Sequence, residues 1–409
     1  MKKTILALVL VFAMILSCLV GCSSKQTSDQ SATANTAKTD ETPADTSTET
    51  PTDSTEQTTT EGSFDSSAIL AELEPYTTQS AYSIEGATPI DVKNVMKDKS
   101  VYVIPASVST PFNSVTCQGM LDICTELGIK SDWYATNGSI DSWIAAIETA
   151  VNQGYDIIGG FSGVIPEVLS SQIEYAEKND IPVVDLHFHD FADKDTCDDT
   201  YCLPADYELA GYILALWAIY RCEAQGDVAI VTSQELDASL AMEKGIKAAF
   251  AKYAPDMGQT YLHVVVTDWA TKIQTEVQNA LVANPDIKYV INLYDVMTTY
   301  TVAAIEAVGK TGEVKVCAYN GTPFALDLIK QGLVDMDLGE CLECMSYCLL
   351  DQMFRIAAGE EPLPAENPPF YIWTADNVDQ AIGEDGKAGW GGYDQSYLEF
   401  YQDLWMLNQ

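Results

Sequence analysis

Asp185, His187 and His189 stand at alternate positions of the segment Asp-Leu-His-Phe-His, a spacing that puts all three side chains on one face of a strand. Imidazoles beside a carboxylate are metal-ligand chemistry, so the trio is one candidate site. The apolar run Ile181-Pro182-Val183-Val184 ends just before it, and a strand that stops at Val184 lets the next side chains splay, which weakens the metal reading. Catalysis has less support. His187, His189 and His263 are the three histidines of the chain, and no serine elbow, phosphate loop or paired nucleophile and base accompanies them. No enzymatic activity, metal or cofactor is therefore expected. Cys341, Cys344 and Cys348 share one face of a helix and read as buried small hydrophobes, while Cys197 and Cys202 flank a short loop that a disulfide could close. Arg221 and Arg355 are the two arginines of the chain. Guanidinium forks are the usual grip on carboxylate and phosphate, so a neutral or cationic ligand is favoured.

The elements that must position these residues follow from alternating apolar runs and amphipathic stretches. Strands are predicted at Val101–Ile104, Tyr155–Ile158 and Ile181–Val184, with helices over Val115–Leu127, Ser139–Asn152 and Pro166–Lys178; Gly128 and Gly154 supply the first two helix stops. The pattern then restarts. Helices over Asp206–Ala224, Ala238–Tyr253, Ala270–Ala283, Met297–Val308 and Ala325–Gln331 alternate with strands at Val228–Val231, Tyr261–Val266, Tyr289–Asn292 and Val314–Cys317. A helix from Glu340 to Ala358 trails them and is placed to return to the first unit. Uninterrupted apolar strands of this kind are parallel and covered by helices on both faces. Such sheets bind ligands outside the carboxyl ends of their strands. The candidates there are Ser107 to Phe112, Gly160 to Ser162 (with Phe161), His187 to His189, Ser233 to Asp237, Asp268-Trp269, Tyr294-Asp295, Asn320 and Glu340.

Composition bounds the rest. The 409-residue chain has a net charge of -39. Lys2, Lys3, the apolar run Ile5–Leu16 and Leu19-Val20-Gly21-Cys22 resemble a bacterial lipoprotein signal, which implies cleavage before Cys22, lipidation of its thiol and an extracytoplasmic, membrane-tethered product. Residues 23–63 hold no aromatic side chain and no aliphatic one larger than alanine, and read as a solvated tether. Taking out the two signal lysines and the tether's eight acids against two lysines leaves -35 on residues 64–409, a charge that repels nucleic acid and anionic lipid. Some 345 residues exceed one comfortable core, so two domains are expected.

In order along the chain, Pro111-Phe112, Asp156-Ile157-Ile158, Asp180-Ile181-Pro182-Val183-Val184 and Asp206 through Gly211 match a pattern. It continues in Glu243-Lys244-Gly245, Asn284-Pro285-Asp286, Asp295, Asn320-Gly321-Thr322-Pro323, Gly332, Gly359 and Thr374 through Asp379. Over residues 98–379 this set resembles the type I periplasmic binding proteins, in particular the ribose- and galactose-binding branch serving ABC importers. The resemblance implies an α/β fold of two doubly wound parallel-sheet, Rossmann-like lobes joined by three hinge strands, with a ligand closed between them. The lobes would be 98–205 plus 341–372 and 206–340, preceded by signal (1–21), tether (22–63) and lead-in (64–97) and followed by an extension (373–409). Phe112 and Trp269 would sandwich a sugar ring, Asp295 would be a retained acid and Glu340 a hinge-side contact. His187, Phe188, Tyr294 and Asn320 stand where the sugar binders usually carry Asp, Arg, Asn and Asp, and Met242 stands near a second usual Arg. Fewer charged forks imply a ligand less polar than a simple pentose or hexose. The expected role is a monomeric, lipid-anchored importer component that binds a small neutral, sugar-like ligand and docks on a permease; a sensor of nucleoside-like or aromatic compounds, and a metal-binding lipoprotein, are the alternatives.

Overall fold

The computed structural model describes residues 64–162, 166–192, 201–363 and 366–408. The signal, Cys22 and the tether lie outside the described residues, as does Cys197. The first sheet contains β1 (Ser100–Pro105), β2 (Lys130–Trp133), β3 (Ile157–Phe161), β4 (Val183–Asp190) and β5 (Tyr201–Ala205), all parallel, in the order β2-β1-β3-β4-β5. The second contains β6 (Asp227–Thr232), β7 (Gln259–His263), β8 (Ile287–Asn292), β9 (Lys315–Asn320), β10 (Met336–Gly339) and β11 (Tyr371–Thr374), in the order β11-β10-β9-β8-β6-β7. Its strands are parallel except β11, which pairs antiparallel to β10. The seven strands expected from apolar runs are present, with ends shifted by a few residues.

Four strands had no such signal. β2 is an edge strand that alternates between exposed and half-buried residues, and β5 is an edge strand that contains Pro204, tolerated where no ladder bond is needed. β10 buries Asp337 among its four residues, and β11 is four residues long. Because β11 belongs to the second sheet, Tyr371 and Ile372 pair there and not with the first lobe.

Helix ends follow local rules. The helices Pro111–Leu127 and Ile140–Gln153 stop at Gly128 and Gly154, both in the left-handed region that a residue without Cβ enters at low cost. The helices Tyr207–Arg221 and Asp237–Tyr253 cross where both carry glycine: a Cβ on Gly211 would lie 2.0 Å from the Met242 carbonyl oxygen, and one on Gly245 1.9 Å from that of Glu208. The chain passes between the sheets three times, at Asp206, at Glu340-Cys341, and again before β11. After the second passage the helix Leu342–Ala358 packs on Pro111–Leu127, with Ser346 Oγ donating to the Thr116 carbonyl at 3.0 Å.

Both terminal segments are built into this body. The helix Ser67–Leu73 buries Ile69 and Leu73 against the second sheet's helices, and Glu72 accepts the Tyr212 hydroxyl at 2.7 Å. Further on, Ile90, Val92 and Met96 enter the core on the first sheet's side. The final helix, Ser396–Leu404, lies along Leu342–Ala358, where Trp405 Nε1 donates to Asp351 at 2.7 Å. Arg355, 1% exposed, donates to Asp351 at 2.5 Å and to the Thr88 carbonyl at 2.9 Å, so one guanidinium ties lead-in to helix. Among the described residues no helix is long and apolar enough to cross a membrane.

Candidate functional site

A cavity of about 220 Å³ opens at the carboxyl ends of both sheets' strands. Seven of the ten predicted site residues line it: Ser107, Phe112, His187, Phe188, Trp269, Tyr294 and Asn320. Ser107 follows β1, Phe112 occupies the first turn of Pro111–Leu127, and His187 and Phe188 belong to β4. From the other side, Trp269 opens the helix Trp269–Ala283, Tyr294 follows β8 and Asn320 ends β9. Trp269 is held rigidly. Its indole N–H donates to Ser233 Oγ at 2.8 Å and to the Val264 carbonyl at 3.0 Å, and its ring stacks on Tyr294 with centroids 5.6 Å apart.

Phe161, Asp295 and Glu340 stand behind the lining. Phe161 backs Phe112, the rings stacked at 5.4 Å. Asp295 is fully buried and accepts from the Thr322 backbone N–H at 2.9 Å and from the Thr322 hydroxyl. Burial pushes its carboxyl up to about 6, against the pull of those hydrogen bonds. Asp337 accepts the Gly321 N–H at 2.7 Å, so two carboxylates pin the turn that follows Asn320. Glu340 accepts the Tyr319 hydroxyl at 2.5 Å and lies 3.4 Å from His187 Nε2.

β4 does not stop at Val184; it runs to Asp190 with all eight residues buried, because both of its faces are covered. What separates the histidines is a kink inside the strand. His187 has φ +58°, and the pairing of β4 with β5 shifts register between Leu186 and Asp190. His187 therefore turns toward the cavity, with Nδ1 2.7 Å from the Tyr207 hydroxyl, which donates to the His187 carbonyl at 2.8 Å. His189 faces elsewhere, with Nε2 3.3 Å from Asp185 and Nδ1 3.7 Å from Asp237. The expected single face for Asp185, His187 and His189 is thus broken. Among the described residues no group of three or more His, Cys, Asp or Glu side chains is arranged to hold a metal ion. Ser162 and Asn320 also have positive φ, +53° and +137°, so three non-glycine lining residues hold unusual backbone conformations.

Several lining residues went unnoticed in the sequence. Asn113, Trp143, Tyr207 and Tyr319 all face the cavity. Asn113 and Tyr319 each adjoin a predicted residue, and that adjacency is the signal that could have found them. Asn113 Oδ1 is buried at the cavity wall with no hydrogen-bond partner among the described residues. Among the described residues no Lys, Arg or Asp lines the cavity, and the one carboxylate there, Glu235, accepts the Val266 N–H at 2.6 Å. The site therefore offers flat aromatic surface, amide and hydroxyl groups and little charge.

Residues 101–361 match the family model described as a periplasmic binding protein domain. A comparison with curated proteins returns no match. Among solved structures, the chain is similar to an ABC transporter periplasmic solute-binding protein from Actinobacillus succinogenes with bound D-allose, at 20% identity and a TM-score of 0.61, covering 69% of this chain and 100% of that one. It is similar as well to a solute-binding protein from Burkholderia graminis in complex with D-arabinose, at 23% identity and TM-score 0.62, covering 69% and 97%. A third, from Agrobacterium vitis and bound with alpha-D-tagatopyranose, shows 17% identity and TM-score 0.62, covering 71% and 100%. These likenesses give the type I periplasmic binding protein fold. With nearly two thirds of its length matched by the family model, and with two α/β sheets meeting at a strand-end cleft, this chain belongs to the periplasmic binding protein domain family.

Proposed function

We propose that the protein is the extracytoplasmic solute-binding component of an ABC importer, tethered through a lipid on Cys22, and that its cleft takes a small neutral sugar or sugar-like ligand for delivery to a permease. The observation that carries this reading is the lining itself, aromatic faces from both sheets and amide, hydroxyl and imidazole groups, with no Lys, Arg or Asp among the described lining residues. The apolar C–H faces of a sugar ring stack on rings such as Phe112 and Trp269, and its hydroxyls meet Asn113, His187 and Asn320. The cavity of about 220 Å³ lies below the ~300–1,000 Å³ common for drug-sized ligands, which favours a compact one. Sugars bound in the three structural neighbours support the same class. Closure of the lobes would be a population shift driven by contacts to both. The missing charged forks also favour a second reading, a nucleoside-like or small aromatic ligand.

A thermal-shift screen of the full chain against monosaccharides, polyols, nucleosides and small aromatics tests both. Ligand at about a hundred times its Kd adds ~2.7 kcal/mol, a shift of several degrees. A response confined to sugars or polyols supports the first reading and one confined to nucleosides or aromatics the second. Silence across the panel overturns both.

A further inference from the structure

A second cavity, of about 290 Å³, lies at the hinge and shares no lining residue with the cleft. All three passages between the sheets border it: Asp206, Glu340-Cys341, and Asn367 to Tyr371. Fourteen of its twenty lining residues lie outside residues 101–361, in the lead-in and the C-terminal segment. The space is thus made by parts of the chain that the family domain does not include. Its chemistry differs from that of the cleft. Among the described residues seven lining side chains are aromatic, including Tyr76, Tyr82, Phe370 and Tyr393, and the charged ones are acidic: Asp206, Glu340 and Asp394. No Lys or Arg pairs with these three acids among the described residues, although Glu340 lies within 3.4 Å of His187. Burial, and after it the neighbouring Asp190, Glu208 and Glu340 carboxylates, push the Asp206 carboxyl up against the pull of the Leu209 N–H.

We propose that this hinge-side cavity is a second binding site, taking a compact organic cation such as an amine or quaternary ammonium compound. Aromatic faces attract a cation through their quadrupole, most strongly where water is displaced. Carboxylates that no described Lys or Arg pairs with add long-range attraction and repel any anion. A hard metal ion fits poorly, since calcium needs about six to eight oxygen ligands and half of this lining is ring and proline.

Titration calorimetry on the full chain tests the site with tetramethylammonium, choline, a primary diamine, and the neutral isostere of choline in which carbon replaces the quaternary nitrogen. At least one cation should bind, and the isostere should not bind at the same concentrations. Tyr76→Ala should weaken that binding roughly tenfold or more. Asp206→Asn should weaken it comparably while keeping the helix cap, because Asn accepts the Leu209 N–H as Asp206 does at 3.3 Å. Silence from every cation, equal binding of the isostere, or unchanged affinity in both variants overturns the proposal.

Discussion

The two cavities on either side of the Glu340 carboxylate differ in origin as well as in chemistry. The cleft is lined by residues within the family domain and carries a single carboxylate, whereas the hinge-side cavity is lined mainly by added segments and carries three. Domain and additions do different work. The domain supplies two sheets whose strand ends face each other; the additions brace the hinge, through Tyr82 N–H to Ser396 Oγ at 2.6 Å and Ile90 N–H to the Leu404 carbonyl at 2.7 Å. Residues more than three hundred positions apart are joined there, so lead-in and tail act as one buttress.

The contrast can be broken from behind first. Arg355→Ala leaves Asp351 buried without its cationic partner and should cost about 3–5 kcal/mol in urea unfolding. A loss below ~1 kcal/mol would mean that the terminal segments do not depend on this ion pair. From the front, Trp269→Ala should weaken cleft-ligand binding roughly tenfold or more by calorimetry. At 8% exposure with a bonded indole N–H, Trp269 also supports the fold, so Trp269→Phe, which keeps a ring, should retain more affinity. Equal affinity in wild type and Trp269→Ala would take this residue out of the site.

Asp295 tests the wall beside the cleft. Its folded carboxyl stands at about 6 against an ordinary 3.8, so the folded state holds the proton more tightly. That contribution to stability is fully present below 3.8 and is lost as pH rises through about 6. The melting temperature should fall by a degree or more across this window, and Asp295→Asn should flatten that part of the profile. An identical profile in the variant would deny Asp295 the role. The smallest effect is expected for Asn113→Ala, a loss of roughly a few-fold in cleft affinity as its buried acceptor disappears. No loss would leave hydrogen bonding in the cleft to His187 and Asn320.

Much of this was legible in one dimension. Parallel strands covered on both faces leave apolar runs such as Val101–Ile104, helix stops leave glycines at 128 and 154, and strand ends point to a cleft whichever ligand it takes. These signals act over a few residues, so they survive in sequence, and they determined the two-sheet α/β architecture, the return of the helix after Glu340 and most of the lining. Tertiary structure decided the rest. Whether a strand-end residue lines the cavity or stands behind it depends on distant packing: Phe161 backs Phe112, and Asp295 reaches Thr322. A single left-handed residue at His187 sends it away from His189, where simple alternation would align them. Short strands such as β10 and β11 and the terminal buttress carry little local signal, because each is stabilised by partners brought beside it only when the whole chain has folded.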